Sequence, residues 1–173
     1  MGELIVSGFP RTGTTYLQQI IQSAFPSLSV IDGHHRIQLL KETGYKAVTL
    51  RNPCNAVCSW IVYSYPRPVV VDDALDWYCQ FIEQALLSPE RIFVFKFDAF
   101  TVEPQMQMNW LGNKIGFEPV EMDVASVNAV MSDEFARSFP NKNTELKHEY
   151  SEGVMAASLF GKALGLYEQS SSV

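Results

Sequence analysis

The stretch Gly8-Phe9-Pro10-Arg11-Thr12-Gly13-Thr14-Thr15 puts two glycines, a cation and three hydroxyls into one short loop. Glycines let a backbone turn tightly around an anion, and the amides that open a helix aim at it with the positive end of the helix dipole behind them. The hydroxyls of Thr14 and Thr15 add donors, and the planar guanidinium of Arg11 can bridge two anionic oxygens at once. A second anchor is Arg51, which closes an apolar run and is followed by Asn52-Pro53-Cys54-Asn55-Ala56-Val57-Cys58-Ser59. A lone arginine after a buried strand needs an anionic partner, although pairing with a nearby surface carboxylate would also satisfy it. His34, His35 and His148 are the side chains suited to move a proton near neutral pH.

These residues need elements to hold them. Leu4 to Ser7 reads as a short buried strand, and Leu17, Ile20, Ile21, Ala24 and Phe25 share one face of a helix beyond the loop. Ala47 to Leu50 reads as another strand, with Asn52 as N-cap and Pro53 in the first turn of a helix carrying Ala56, Val57, Trp60 and Ile61. Asp72 is expected to cap a third helix bearing Leu75, Tyr78, Cys79, Ile82 and Leu86, which exits at Ser88-Pro89. A strand over Ile92 to Phe97 follows, then helices over Val102 to Ile115, Val124 to Phe135 and Met155 to Leu166, the first of them stopping at Gly116. Pro140 to Gly153 is polar and expected to be exposed, and His34 and His35 fall in a loop.

Strands separated by helices imply parallel pairing through crossovers. The expected architecture is therefore an α/β, three-layer fold of the phosphate-loop type, with a central mostly parallel sheet flanked by helices and ligands at the carboxyl ends of the strands. The 173 residues suit one domain spanning the whole chain, ending in a short polar tail over Ser170 to Ser172.

A formal charge of −6 argues against a nucleic-acid binder, which needs a broad basic face to displace counterions. Apolar runs as short as Ile92 to Phe95 argue against a membrane span, and Met1 to Pro10 lacks the pattern of a secretion signal. Three cysteines, Cys54, Cys58 and Cys79, read as reduced, packed thiols, and no cluster has zinc-site spacing. A cytoplasmic enzyme without metal fits these bounds.

In nucleoside triphosphate hydrolases and kinases the second loop glycine is followed by a lysine that reaches the terminal phosphates. Here that position is Thr14, and the cation has moved to Arg11. Phe9-Pro10-Arg11-Thr12-Gly13-Thr14-Thr15-Tyr16-Leu17 resembles the 5′-phosphosulfate-binding loop of P-loop sulfotransferases, whose pattern is aromatic-Pro-Lys/Arg-Ser/Thr-Gly-Thr-Thr-aromatic-Leu. Arg51 to Ser59 is similar to the family's second signature, an Arg and a Ser eight residues apart that bind the donor's 3′-phosphate. Phe93 to Asp98 resembles the strand that ends in an acidic residue in many members, and the resemblance runs from residue 4 to residue 118.

The resemblance implies transfer of a sulfuryl group from 3′-phosphoadenosine 5′-phosphosulfate to a hydroxyl or amine on a small-molecule or glycan acceptor. Pro10, Arg11, Thr12, Gly13, Thr14 and Thr15 would hold the 5′ end of the donor, Arg51 and Ser59 the 3′-phosphate, and no metal is expected. The Arg-Lys-Gly motif that completes the 3′-phosphate site in the cytosolic family is absent, with Lys142 or Lys147 as substitutes. Arg11 and His34 are the expected catalytic residues. His34 is favoured over His35 as the base on register with Leu40, while two solvated loop histidines are the plain alternative. Trp60, Tyr63, Tyr65 and Trp77 line either an acceptor pocket or the core. Two other functions remain open: a small nucleotide kinase with Asp98 on magnesium, and a noncatalytic nucleotide-binding module.

Overall fold

A computed structural model describes residues 2–64, 67–129 and 143–170. Four strands, β1 (Glu3–Gly8), β2 (Ser29–His34), β3 (Tyr45–Leu50) and β4 (Ile92–Lys96), form one sheet in the order β2-β1-β3-β4. Every pairing is parallel, so all carboxyl ends lie on one edge of the sheet.

The crossovers supply the helices. α1 (Thr14–Ala24) joins β1 to β2, and a 3₁₀ turn (Ile37–Lys41) lies between β2 and β3. α2 (Pro53–Ser64) and α3 (Val71–Leu86) join β3 to β4. α4 (Phe97–Val102), α5 (Pro104–Ile115), the helical residues 124–129 (α6), α7 (Asn143–Ala156) and α8 (Phe160–Gln169) follow.

Alternation along the strands feeds two cores. Leu4, Val6, Ala47, Phe93 and Phe95 pack with Leu17, Ile20, Ile21, Phe100, Met108 and Leu111 on one face of the sheet. Val48, Leu50 and Ile92 point the other way, against Val57, Leu75, Tyr78, Phe81, Ile82, Val154 and Ala163. A sheet with helices packed on both faces is the three-layer α/β architecture expected from strands alternating with helices. Each buried Leu, Ile or Phe contributes roughly 1.5–3 kcal/mol relative to exposure, so these two layers hold the strand ends in place.

Several elements differ from the sequence expectation. β2 was not anticipated: its residues Ser29-Val30-Ile31-Asp32-Gly33-His34 are mostly exposed on an edge strand, which leaves little apolar alternation to read. A bulge displaces its pairing, since Val6 faces Asp32 while Ser7 faces His34. Gly33 is needed there, because a Cβ would sit 2.8 Å from the Ile5 side chain and 2.9 Å from the Val6 carbonyl oxygen.

The third helix starts at Val71, so Asp72 lies in its first turn beside Asp73 and makes no cap, where the carboxylates still favour the helix dipole. Phe97 leaves β4 and begins α4, and Pro104 divides the helix expected over Val102 to Ile115 by starting α5 at its own first turn. Gly116, at φ 75°, caps α5 as expected. Much of the polar stretch Pro140 to Gly153 is helical in α7, and the helix expected over Met155 to Leu166 is interrupted between Ala156 and Phe160. Residues 130–135, Lys142 and Tyr65 lie outside the described residues.

Candidate anion-binding site

β1 delivers the loop. Gly13 precedes α1 with φ 92°, a conformation that favours glycine, and a Cβ there would also lie 2.6 Å from the Phe97 ring. Arg11 takes a left-handed backbone at φ 66°, which turns the chain back on itself between Pro10 and Thr12. Its guanidinium carbon lies 4.5 Å from the centroid of the Tyr63 ring, contributed by α2. Phe9 is fully buried beneath the loop, edge-on to Trp60, Trp77 and Tyr78 at 5.4, 5.5 and 5.1 Å between centroids. Trp60 and Trp77 thus brace the loop from the core side, and Tyr63 is the exposed aromatic of the set.

Three threonines tie the loop to β3. Thr12 Oγ1 donates to the Phe9 carbonyl at 2.7 Å, and its oxygen is 2.7 Å from Thr49 Oγ1, which in turn is 3.1 Å from Thr14 Oγ1. Gly8 leaves room for this cluster, since a Cβ would fall 2.1 Å from Thr49 Oγ1. Thr15, by contrast, is exposed.

β3 delivers Arg51 immediately after Leu50. Tyr78 on α3 donates its hydroxyl to the Arg51 carbonyl at 2.5 Å, fixing the backbone there. The Arg51 guanidinium carbon lies 4.6 Å from the centroid of Phe97, the same ring that packs on Gly13. Phe97 therefore separates the loop from Arg51 and touches both. Arg51 Nε is buried and makes no hydrogen bond among the described residues, an arrangement that suits an incoming acceptor. Asn52 caps α2 as expected, its Oδ1 accepting from the Cys54 amide at 3.0 Å, and Ser59 lies buried further along that helix.

Electrostatics place a third cation with these two. Arg11 is held below the ordinary arginine value by burial; Tyr63 opposes this and the charge of Arg51 adds to it. Lys147 on α7 is likewise lowered, first by burial and then by the charges of Arg51 and Arg11. Arg51 itself is lowered by burial, with Asp98 opposing. Of the two lysines left open by the sequence, Lys147 is thus in range of both arginines.

The adjacent histidines differ in environment. His34, at φ 45°, exposes 71% of its side chain, with Nδ1 3.4 Å from Asp32 Oδ1. His35 is half-buried, and its Nδ1 lies 2.7 Å from the Gly8 carbonyl. A carbonyl only accepts, so Nδ1 carries the proton and the Nε2 lone pair remains to accept one. Burial pushes His35 below the ordinary imidazole value; the Gly8 bond opposes this, and neighbouring charges include Arg11. His148 is exposed on α7.

Thr49 and Tyr78 carry no charge and no motif and read only as strand and helix residues, and Phe97 reads as part of the strand ending at Asp98 rather than as a ring between the loop and Arg51. The cysteines are free thiols, with Cys54 Sγ 3.9 Å from Cys58 Sγ and the Cys58 thiol pushed up to about 12, chiefly by burial and then by Cys54. Among the described residues no three His, Cys, Asp or Glu gather closely enough to hold a metal ion, and no helix is long and apolar enough to cross a membrane.

No family model matches the chain, and no curated protein matches it in sequence. Among solved structures it is similar to mouse sulfotransferase SULT7A1 complexed with PAP, with a TM-score of 0.53 and 11% sequence identity, covering 82% of this chain and 68% of that one. At this identity the likeness establishes a shared fold.

Proposed function

We propose that this chain is a sulfotransferase that uses 3′-phosphoadenosine 5′-phosphosulfate and an acceptor bearing a hydroxyl or amine. The carrying observation is the glycine-bounded loop at the carboxyl end of β1 with Arg51 at the end of the neighbouring parallel strand, both packed on Phe97, and with the buried Arg51 Nε making no hydrogen bond among the described residues. Burial and the neighbouring cations hold Arg11 and Lys147 below their ordinary values, and a ligand with two separated anionic groups favours the charged forms of these two and of Arg51. The fold shared with a sulfotransferase solved with PAP supports the same donor.

The residues present fit such a donor. Loop amides at the start of α1, with Arg11 and the threonine hydroxyls, would hold its 5′ end. Arg51, Ser59 and Lys147 would take the 3′-phosphate. When bound, the donor supplies a sulfuryl group that forms a bond to the acceptor oxygen or nitrogen as the sulfur–oxygen bond to the phosphate breaks.

The chain's own residues supply the rest. Arg11 stabilises charge on the departing phosphate, a contact worth most in a site shielded from water. His35 takes the acceptor's proton at Nε2, because the Gly8 carbonyl fixes the other nitrogen as a donor and burial disfavours the charged ring. The proposal therefore assigns to His35 the role expected of His34.

Calorimetry tests the donor class. Adenosine 3′,5′-bisphosphate should bind and raise the melting temperature without magnesium, because a ligand that prefers the native state stabilises it. ATP with magnesium should do less. Tight binding of magnesium ATP with none of the bisphosphate would replace this function with a kinase.

A further inference from the structure

Thr49 lies wholly buried in β3, directly opposite Gly8 of β1 and two residues before Arg51. Its hydroxyl is the middle member of a chain whose direction can be worked out. Thr12 has one hydroxyl proton, and it goes to the Phe9 carbonyl, which can only accept. The short contact between Thr12 and Thr49 must then have Thr49 as donor. Having spent its own proton, Thr49 can only accept from Thr14. The chain runs from Thr14 to Thr49 to Thr12 to Phe9, and removing its middle breaks two bonds that join the loop to the strand.

From this geometry we propose that Thr49 is a positioning residue, which fixes the loop that receives the 5′ end of the donor relative to Arg51, which receives the 3′-phosphate. This rests on the donor proposed above. The loop and Arg51 meet Phe97 from two sides, and beyond the β1–β3 backbone pairing that ends at Gly8 and Thr49 the threonine chain adds a side-chain tie between the segment carrying Arg11 and the strand carrying Arg51. Gly8 belongs to the same arrangement, since any side chain there would displace all three hydroxyls.

The test compares Thr49→Val, which keeps the shape and removes the hydroxyl, with Thr49→Ser, which restores it. A ligand that bridges both halves depends on their spacing, whereas one that engages the loop alone does not. Thr49→Val should therefore lose about tenfold in affinity for adenosine 3′,5′-bisphosphate and at most about threefold for adenosine 5′-phosphate, with Thr49→Ser recovering most of the difference. Equal losses for the two nucleotides, or no recovery with serine, would overturn the role.

A second readout needs no nucleotide. The Thr12 amide is bonded to the Phe9 carbonyl at 3.3 Å, and its hydrogen exchange in the ligand-free protein should quicken in Thr49→Val and slow again in Thr49→Ser. If the parent protein binds no bisphosphate, the proposed function fails, and this exchange still decides whether Thr49 holds the loop. Unchanged exchange at Thr12 would refute the tie outright.

Discussion

His35 Nδ1 stands 2.7 Å from the carbonyl oxygen of Gly8, so the half-buried histidine is tied to the residue where β1 enters the glycine-bounded loop. A ring fixed in this way keeps one tautomer and one orientation without needing a carboxylate partner. His34, one residue earlier, faces Asp32 and solvent instead.

His35→Ala should abolish most turnover with alcohol acceptors, by the ~100-fold or more typical of a lost general base, while a readily ionised phenol is partly spared. His34→Ala should be milder. Steady-state rates across acceptors of graded acidity, with donor affinity measured separately, check the assignment; the reverse ranking would return the role to His34.

The pH dependence follows from the direction of the His35 shift. Its pKa is lowered in the fold by burial, so it remains a base below the ordinary imidazole range, and the acid limb of kcat/KM should lie below about 6.5. The unfolded chain binds this proton more readily than the native one. Stability from the neutral ring is therefore complete above about 6.5 and is lost as the pH falls from there through the folded value, a loss that His35→Gln should diminish in thermal melts across pH.

Lys147 is lowered by burial and by two arginines, with Cys58 opposing, so its charged form is less favoured in the free fold than on an exposed lysine. Lys147→Met should raise the melting temperature of the free protein while weakening bisphosphate by about tenfold, the usual size of a charge-assisted contact. An anion restores the lysine's preference for its proton. Bisphosphate binding at alkaline pH should accordingly take up protons in the parent protein, seen as buffer-dependent binding enthalpy, and much less in Lys147→Met.

Arg51→Ala should weaken adenosine 3′,5′-bisphosphate far more than adenosine 5′-phosphate, because a contact to the 3′-phosphate is worth ~1.5–3 kcal/mol. Calorimetry on the two nucleotides gives the comparison, and equal losses would mean that Arg51 does not engage that phosphate.

Lys46 tests the scaffold apart from the site. It is 1% exposed, and its ammonium donates to the carbonyls of Glu42, Thr43 at 3.0 Å and Gly44 at 2.8 Å, closing the turn that enters β3. Lys46→Met keeps the stem and removes the donors, and should cost ~1–3 kcal/mol in denaturant unfolding. Nucleotide affinity should change little.

The sequence pattern made β1, the loop, α1 and the Asn52 cap readable, because glycines, a capping residue and apolar periodicity all act over a few neighbours. β2 escaped because Asp32, Gly33 and His34 serve a bulge on an edge strand and so do not alternate. The same bulge decides the environments of His34 and His35, which register with Leu40 could not reveal. The place of Lys147 near Arg11 and Arg51 could not be read from spacing, since it depends on α7 returning over α2 from far along the chain. Thr49 read only as a strand residue, because its role exists through partners at positions 12 and 14.

Among the described residues, Arg11 and His34 are the two non-glycines with a left-handed backbone, at φ 66° and 45°, one at each of the neighbouring strand ends that frame the site. Side chains in that region cost on the order of 1–2 kcal/mol each. Selection for thermal tolerance alone would replace both with glycine or asparagine, and the Arg11 replacement would discard the cation that the loop presents. A consensus or heat-driven engineering campaign on this protein would thus drift toward a firmer, less active scaffold, and position 11 is where resistance to heat and capacity for chemistry would part company first.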